Sequence, residues 1–139
     1  MIKHGITHVV NCSADYSSNY HTKLIEYKKY HLKDHNRENI ECIFYDVIDF
    51  IESCKKANGK VYVHCVQGVS RSSTVCISYL IYTRGLTFDE AFSFVREKRG
   101  IVNPNAGFIA QLMNFHKRLH GPSYDSITTS PRVFVVASH

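Results

Sequence analysis

A cysteine and an arginine six positions apart are the residues of this sequence best suited to chemistry on a phosphate group. Cys65 and Arg71 enclose a short segment that contains Gly68. A cysteine thiolate is a strong nucleophile, and a guanidinium can form two parallel hydrogen bonds with phosphate oxygens. An apolar run precedes the cysteine and another follows the arginine, so the pattern predicts a strand, a loop and a helix.

Such a loop can bind an anion through its backbone. Successive N–H groups of a tight loop point inward, and a helix N-terminus adds unpaired N–H groups and the positive end of its dipole. Gly68 permits a backbone conformation that side chains resist. We therefore expect a phosphate cradle made of Val66, Gln67, Gly68, Val69, Ser70 and Arg71.

The same surroundings favour catalysis by the cysteine. Helix N-termini and nearby cations stabilise a thiolate, so Cys65 is expected to be ionised at neutral pH. Inward amides and Arg71 would neutralise charge on the equatorial phosphate oxygens. We therefore predict that the reaction needs no cofactor and no metal.

The elements that must position this loop alternate between strands and helices. Strands are predicted at residues 6–11, 27–32 and 61–63 from β-branched and apolar residues. Helices are predicted at residues 40–57, 72–84, from 87 onward, and from 103 to about 120 from the helical period. The helix over 72–84 is apolar nearly all round, so it is expected to lie at the centre of the domain.

Several predicted helix ends carry capping residues. Gly59 is expected in the C′ position of the first helix, and Gly85 ends the second. Thr87 and a glutamate three residues later have the spacing of a capping box. Asn103, followed by a proline, predicts the N-cap of the last helix.

The order of these elements predicts the fold class. Strands and helices alternate first and helices accumulate later, which indicates an α/β domain with a mostly parallel central sheet of about four to five strands flanked by helices. A Ser/Thr-rich linker then leads to a strand-like piece at 132–137. We divide the chain into a domain over 1–121 and a linker with a strand-like tail over 122–139.

Composition narrows the class of protein. The 139 residues are 44% hydrophobic and 21% charged, which is typical of one globular domain. Five cysteines without framework spacing indicate a reducing compartment, hence a cytoplasmic and/or nuclear location, and no secretory leader is recognised. The net charge of +5 comes from scattered basic residues, which are interpreted mainly as a solvated face and decide nothing alone. Neither nucleic acid nor a membrane is expected as a partner.

These motifs resemble a known family. His64-Cys65 and Arg71-Ser72, with five residues between, resemble the signature of protein tyrosine phosphatases. The wider match, from 5–11 through 103–108 to Gln111-Leu112, is similar to dual-specificity phosphatases, above all MAP kinase phosphatases. The resemblance implies a protein tyrosine phosphatase-like fold. It also implies hydrolysis of phosphotyrosine and phosphothreonine or phosphoserine in proteins through a phosphocysteine intermediate, with MAP kinases as candidate substrates.

The resemblance also implies roles for single residues. Asp34, in a polar loop, would be the general acid. Ser72 would stabilise the departing Cys65 thiolate, with a plain N-cap as the simpler role. His64 would help to hold the loop, or be a core histidine. Asn103 would buttress the phosphate loop, unless its capping role is the whole explanation.

Other functions remain as alternatives. A phosphoprotein-binding pseudophosphatase without turnover is the main one, although such relatives usually lack the cysteine or the arginine. Phosphoinositide phosphatases carry lysines within the loop, which this sequence lacks. Scattered basic charge supports an RNA triphosphatase only weakly. A metal hydrolase would need a third ligand beside His116 and His120.

Two features depart from the family pattern. The strand that usually precedes Gly5 is absent, which leaves a sheet edge to be paired. Residues 132–137 are predicted to pair there, within the chain or by exchange with a neighbour in a homodimer, with the opening of a second domain as the alternative. Cys12 is either a core residue or a resolving thiol for oxidised Cys65.

Overall fold

The computed structural model describes residues 5–13, 25–65, 70–99, 102–120 and 133–135. Its strands are β1 (His8–Asn11), β2 (Glu26–Lys29), β3 (Val61–His64) and β4 (Val133–Val135). Its helices are α1 (Phe44–Lys56), preceded by a 3₁₀ turn at Glu41–Ile43, then α2 (Ser70–Arg84), α3 (Phe88–Arg99) and α4 (Ala106–Leu119). In this part of the chain no helix has the length and apolar character needed to cross a bilayer.

The four strands form one parallel sheet in the order β2-β1-β3-β4. The predicted α/β class with a mostly parallel sheet is therefore confirmed. Asn11 at the end of β1 lies opposite His64 at the end of β3. The residues that follow these two strands therefore emerge side by side at the carboxyl edge of the sheet, where α/β proteins commonly bind ligands.

The central helix is α2, as its apolar sequence predicted. Thirteen of its residues are buried, although several carry hydroxyl groups. Thr74, Ser78 and Thr83 each donate to a carbonyl three or four residues earlier, at 2.6–2.7 Å. Because these hydroxyls are satisfied within the helix, they can be buried without a large desolvation cost.

The first helix ends differently from the prediction. Asn58 adopts the left-handed conformation, with φ 57°, and it occupies the position assigned to Gly59. Gly59 is required for another reason, because a Cβ there would lie 2.2 Å from Thr7 Oγ1. The glycine therefore permits close packing of this turn against the start of β1. Gly85, with φ 66°, ends α2 as expected.

The starts of the last two helices also test the prediction. The capping box is confirmed, since Thr87 Oγ1 accepts from Glu90 N and Glu90 Oε1 accepts from Thr87 N. The prediction of Asn103 as N-cap is wrong. Asn105 is the N-cap of α4, because its backbone is extended and its side chain accepts from Phe108 N at 2.9 Å.

The tail contributes a strand. Within β4, Val133 pairs with Val61 and Val135 with Val63 of β3. This confirms, for Val133–Val135, that the tail pairs with the free sheet edge inside the same chain. The rest of the predicted 132–137 segment lies outside the described residues.

Ending the chain after His120 should therefore destabilise the domain. The truncated protein would lose the backbone hydrogen bonds between β3 and β4, and we expect a loss of about 1–3 kcal/mol in the free energy of unfolding. Urea denaturation followed by circular dichroism would measure it against the full chain. An unchanged midpoint and slope would contradict the pairing.

Candidate active site

The predicted nucleophile and phosphate clamp lie on either side of the strand-to-helix connection. Cys65 directly follows β3 and is 0% exposed, while Arg71 is the second residue of α2 and is 5% exposed. The flanking strand and helix therefore occur where they were predicted. Val66, Gln67, Gly68 and Val69, expected to form the cradle, lie outside the described residues.

Ser72 lies at the sulfur of Cys65. The distance from Cys65 Sγ to Ser72 Oγ is 3.4 Å, and both residues are fully buried. A protonated thiol can donate to the hydroxyl, and the hydroxyl can donate to a thiolate. The pair can therefore hydrogen-bond in either protonation state of the sulfur.

Arg71 joins the start of α2 to the segment that carries Asp34. Its Nη1 donates to Leu32 O at 2.8 Å, and the bond is buried. Because the guanidinium is planar, one such bond restricts the directions in which its other donors point. The cation at the helix start and the backbone two residues before Asp34 are thus tied together.

The side chain of Asp34 is exposed and its partner comes from the start of α4. Asn105 Nδ2 donates to Asp34 Oδ1 at 2.9 Å, and Asn105 N donates to Ser70 Oγ at 2.9 Å. Asn103, to which the buttressing role was assigned, is exposed. The contact with the start of α2 is made by Asn105, and the buttressing role of Asn103 stays a prediction because residues 66–69 of the loop lie outside the described residues.

The loop of residues 33–38, here named the Asp34 loop, is seated on α4. Gly107 N donates to Asn36 Oδ1 at 3.2 Å, and a Cβ on this glycine would lie 2.0 Å from Asn36 O. Gln111 Nε2 donates to Glu38 O at 2.8 Å, while its Oε1 accepts from Glu41 N at 2.9 Å. No role was predicted for these residues, although a glycine in the first turn of a helix is a sequence signal of close backbone packing.

His64 is buried at the end of β3. Its ring centroid lies 5.3 Å from that of Tyr62. This packing agrees with a core histidine, and the position next to Cys65 agrees with a histidine that supports the loop. The two interpretations both stand.

Cys12 follows β1 beside the site, and its N donates to His64 O at 2.9 Å. Burial raises the pKa of the Cys12 thiol well above its usual value, and the nearby Cys65 raises it further while Arg71 opposes both. A buried thiol that keeps its proton is a weak nucleophile. These surroundings favour the core-packing interpretation of Cys12.

His116 and His120 stack on each other, with ring centroids 3.9 Å apart. Burial lowers the pKa of His116, and the neighbouring His120 lowers it further. Among the described residues, no group of three or more His, Cys, Asp or Glu side chains could hold a metal ion. The third ligand required by the metal-hydrolase alternative is thus not found in that part of the chain.

Comparisons with a family model and with individual proteins point to the same family. Residues 1–118 match the family model "Dual specificity phosphatase, catalytic domain". The chain is 39% identical over 132 residues to human dual specificity protein phosphatase 1, covering 95% of this chain and 36% of that protein. It is 42% identical over 116 residues to protein-tyrosine-phosphatase MKP1 of Arabidopsis thaliana, covering 84% of this chain and 15% of that protein. The chain thus spans well under half the length of both relatives.

Solved structures agree with the sequence comparison. The human tyrosine phosphatase-like serine/threonine/tyrosine-interacting protein superimposes with a TM-score of 0.78 at 35% identity, over 84% of this chain and 80% of that one. The two proteins therefore share the fold described above, a parallel sheet with helices.

Proposed function

Because this chain belongs to the dual specificity phosphatase catalytic-domain family, we propose that it is a protein-tyrosine/serine/threonine phosphatase that works through a phosphocysteine intermediate. One observation carries the proposal. Buried Cys65 lies at the carboxyl end of a central strand, its sulfur is 3.4 Å from Ser72 Oγ, and Arg71 lies at the start of the buried helix that follows.

The first step transfers the phosphoryl group to the enzyme. The Cys65 thiolate attacks phosphorus in line, an S–P bond forms, and the P–O bond to the substrate side chain breaks. Asp34 gives its proton to the leaving oxygen. Arg71 holds two equatorial phosphate oxygens through its planar fork, which neutralises charge as it develops in the transition state.

The second step releases phosphate. A water molecule attacks phosphorus while the Asp34 carboxylate takes one of its protons, so the acid is regenerated. The S–P bond breaks and Cys65 leaves as a thiolate. The Ser72 hydroxyl, 3.4 Å from the sulfur, donates a hydrogen bond to the departing charge. The products are inorganic phosphate and the free enzyme.

The proposed substrates are phosphorylated proteins, with MAP kinases among them. The resemblance to MAP kinase phosphatases and the identity to human dual specificity protein phosphatase 1 support this. Lys33, His35 and Arg37 are exposed and flank Asp34 in its loop. Basic side chains there would attract a substrate segment that carries a second phosphate or acidic side chains.

The setting in which the enzyme works is proposed as well. Five cysteines are free, which supports a reducing compartment in the cytoplasm and/or nucleus. A homodimer formed by exchange of the tail stays a prediction, because β4 pairs with β3 of its own chain here.

One assay tests the proposed reaction against the pseudophosphatase alternative. The substrate is a peptide with one phosphothreonine and one phosphotyrosine, in buffer that contains a metal chelator. We expect the wild type to release phosphate from both residues, as followed by mass spectrometry. A binding module without turnover would retain the peptide and release none, which would contradict the proposal.

In the same assay, Asp34→Asn should slow phosphothreonine hydrolysis by about 10²–10⁴-fold, the usual contribution of a general acid. A threonine alkoxide is a far more basic leaving group than a tyrosine phenolate, so the loss should be smaller for phosphotyrosine. Asp49→Asn, an exposed carboxylate on α1, is the matched control and should leave both rates unchanged. Equal losses at the two residues would remove Asp34 from the acid role.

A further inference from the structure

Asn105 forms hydrogen bonds with three parts of the site. Its side-chain Oδ1 accepts from Phe108 N within α4, its Nδ2 donates to Asp34 Oδ1, and its backbone N donates to Ser70 Oγ, each at 2.9 Å. The residue therefore connects the start of α4, the Asp34 loop and the start of α2. None of the roles assigned above uses this junction.

The cap of α4 determines which atom of the Asn105 amide faces Asp34. A backbone N–H needs an acceptor, so the oxygen of the amide must be the atom that faces Phe108 N. The nitrogen on the same carbon is then directed toward Asp34 Oδ1. A donor, and not an acceptor, is thus presented to the carboxyl group.

The backbone of Asn105 is itself held against the helix that carries Arg71. Ser70 is 5% exposed, and while its Oγ accepts from Asn105 N, its carbonyl accepts from Thr74 Oγ1 at 2.6 Å. The first turn of α2 is thereby linked to the residue that binds Asp34. Asn105 therefore sets the distance between the Asp34 carboxyl group and the start of α2, the proposed phosphate-binding helix.

An exposed carboxyl group needs such a restraint. Gly107 and Gln111 anchor the backbone of the Asp34 loop to α4, but these contacts leave the Asp34 side chain free to change rotamer. The bond to Oδ1 supplies the side-chain restraint. Proton transfer depends on this geometry, since a displacement of about 1 Å can cost about 10²-fold in rate.

We propose that Asn105 is a positioning residue for proton transfer, which binds Asp34 Oδ1 and so directs Oδ2 toward the leaving oxygen. The inference rests on the proposed phosphatase function with Asp34 as general acid. In the first step the proton on Oδ2 passes to the leaving oxygen as the P–O bond breaks. In the second step Oδ2 takes a proton from water, and Oδ1 stays bonded to Asn105 throughout.

Asn105→Ser separates positioning from capping. Serine keeps an oxygen that can cap α4 but is too short to reach Asp34, whereas Asn105→Ala loses both contacts. Asn114→Ser, also on α4 and bonded to Glu41, is the matched control. The substrates are phenyl phosphate, with a basic leaving group, and p-nitrophenyl phosphate, with an acidic one, and thermal unfolding is measured for every variant.

We expect Asn105→Ser to lower kcat on phenyl phosphate by about 10- to 100-fold, with KM unchanged and a much smaller loss on p-nitrophenyl phosphate. Combined with Asp34→Asn, it should cause no further loss, since both changes remove the same proton transfer. Its melting temperature should stay near that of the wild type, while Asn105→Ala melts lower.

Two results would overturn the inference while leaving the phosphatase proposal intact. One is an equal loss of kcat on the two substrates, and the other is a loss that multiplies with that of Asp34→Asn, because either would mean a general structural defect. Failure of the wild type to hydrolyse either substrate would instead refute the proposed function and, with it, the role of Asn105.

Discussion

Cys65→Ser is expected to reduce aryl phosphate hydrolysis by about 10⁴- to 10⁶-fold, as when the nucleophile of a covalent mechanism is removed. A serine hydroxyl fits the same buried space beside Ser72. A hydroxyl is a far weaker acid than a thiol, so serine does not supply an anion that could attack phosphorus at a useful rate. Phosphate release in the presence of a chelator measures the effect.

The variant also allows the loss of chemistry to be separated from a loss of fold. Arg71 and the start of α2 are unchanged in Cys65→Ser, so it should still bind the doubly phosphorylated peptide. Cys42→Ser, at an exposed cysteine, should keep full activity. The expected residual activity of Cys65→Ser is very low. A hydrolysis rate within about tenfold of the wild-type rate would therefore refute the phosphocysteine mechanism.

The parts of the fold that were predictable from sequence have strong local signals. The apolar segments of β1 and β3, and the apolar residues spread round α2, indicate elements that are buried on more than one face. The strand and helix around Cys65 follow from these signals, and so does the position of the cysteine at the carboxyl edge of the sheet. The resemblance then supplied chemical roles that periodicity alone could not.

The helix ends that were misassigned depend on distant contacts. Asn103 and Asn105 flank one proline and look alike as N-caps, but Asn105 is held by Ser70, which lies in another element. Asn58, and not Gly59, takes the left-handed conformation after α1, while Gly59 is needed for close packing against Thr7. Local rules identify the residue types that cap helices, and tertiary packing chooses among neighbouring candidates.

The docking of the Asp34 loop on α4 left little trace in the sequence. Asn36 and Gly107, or Glu38 and Gln111, are separated by some seventy positions and follow no common period. The sequence therefore identified Asp34 as a candidate without indicating what holds it. The structure adds that the loop is tied on two sides, to α4 and, through Leu32, to Arg71.

Because the segment that carries Asp34 is held to Arg71 as well as to α4, Arg71 is the second residue whose replacement should have a large effect. Arg71→Lys keeps the positive charge and is expected to lower kcat/KM by about 10³-fold, comparable to the loss of a charge-stabilising donor in other active sites. An ammonium group lacks the planar fork. It cannot bond Leu32 O and still present two parallel donors to a phosphate.

The loss should appear in both binding and chemistry, because in the proposed mechanism the guanidinium holds the phosphate before and during transfer. Titration calorimetry with inorganic phosphate should show weaker binding, and kcat on p-nitrophenyl phosphate should fall as well. Arg84→Lys, at the far end of α2 where its guanidinium stacks on Phe94, is the matched control. The result that would contradict this is a loss of kcat/KM of less than about tenfold in Arg71→Lys, which is smaller than the usual loss for such a donor. Positive charge alone would then be sufficient for catalysis. The Leu32 bond would then have no part in catalysis.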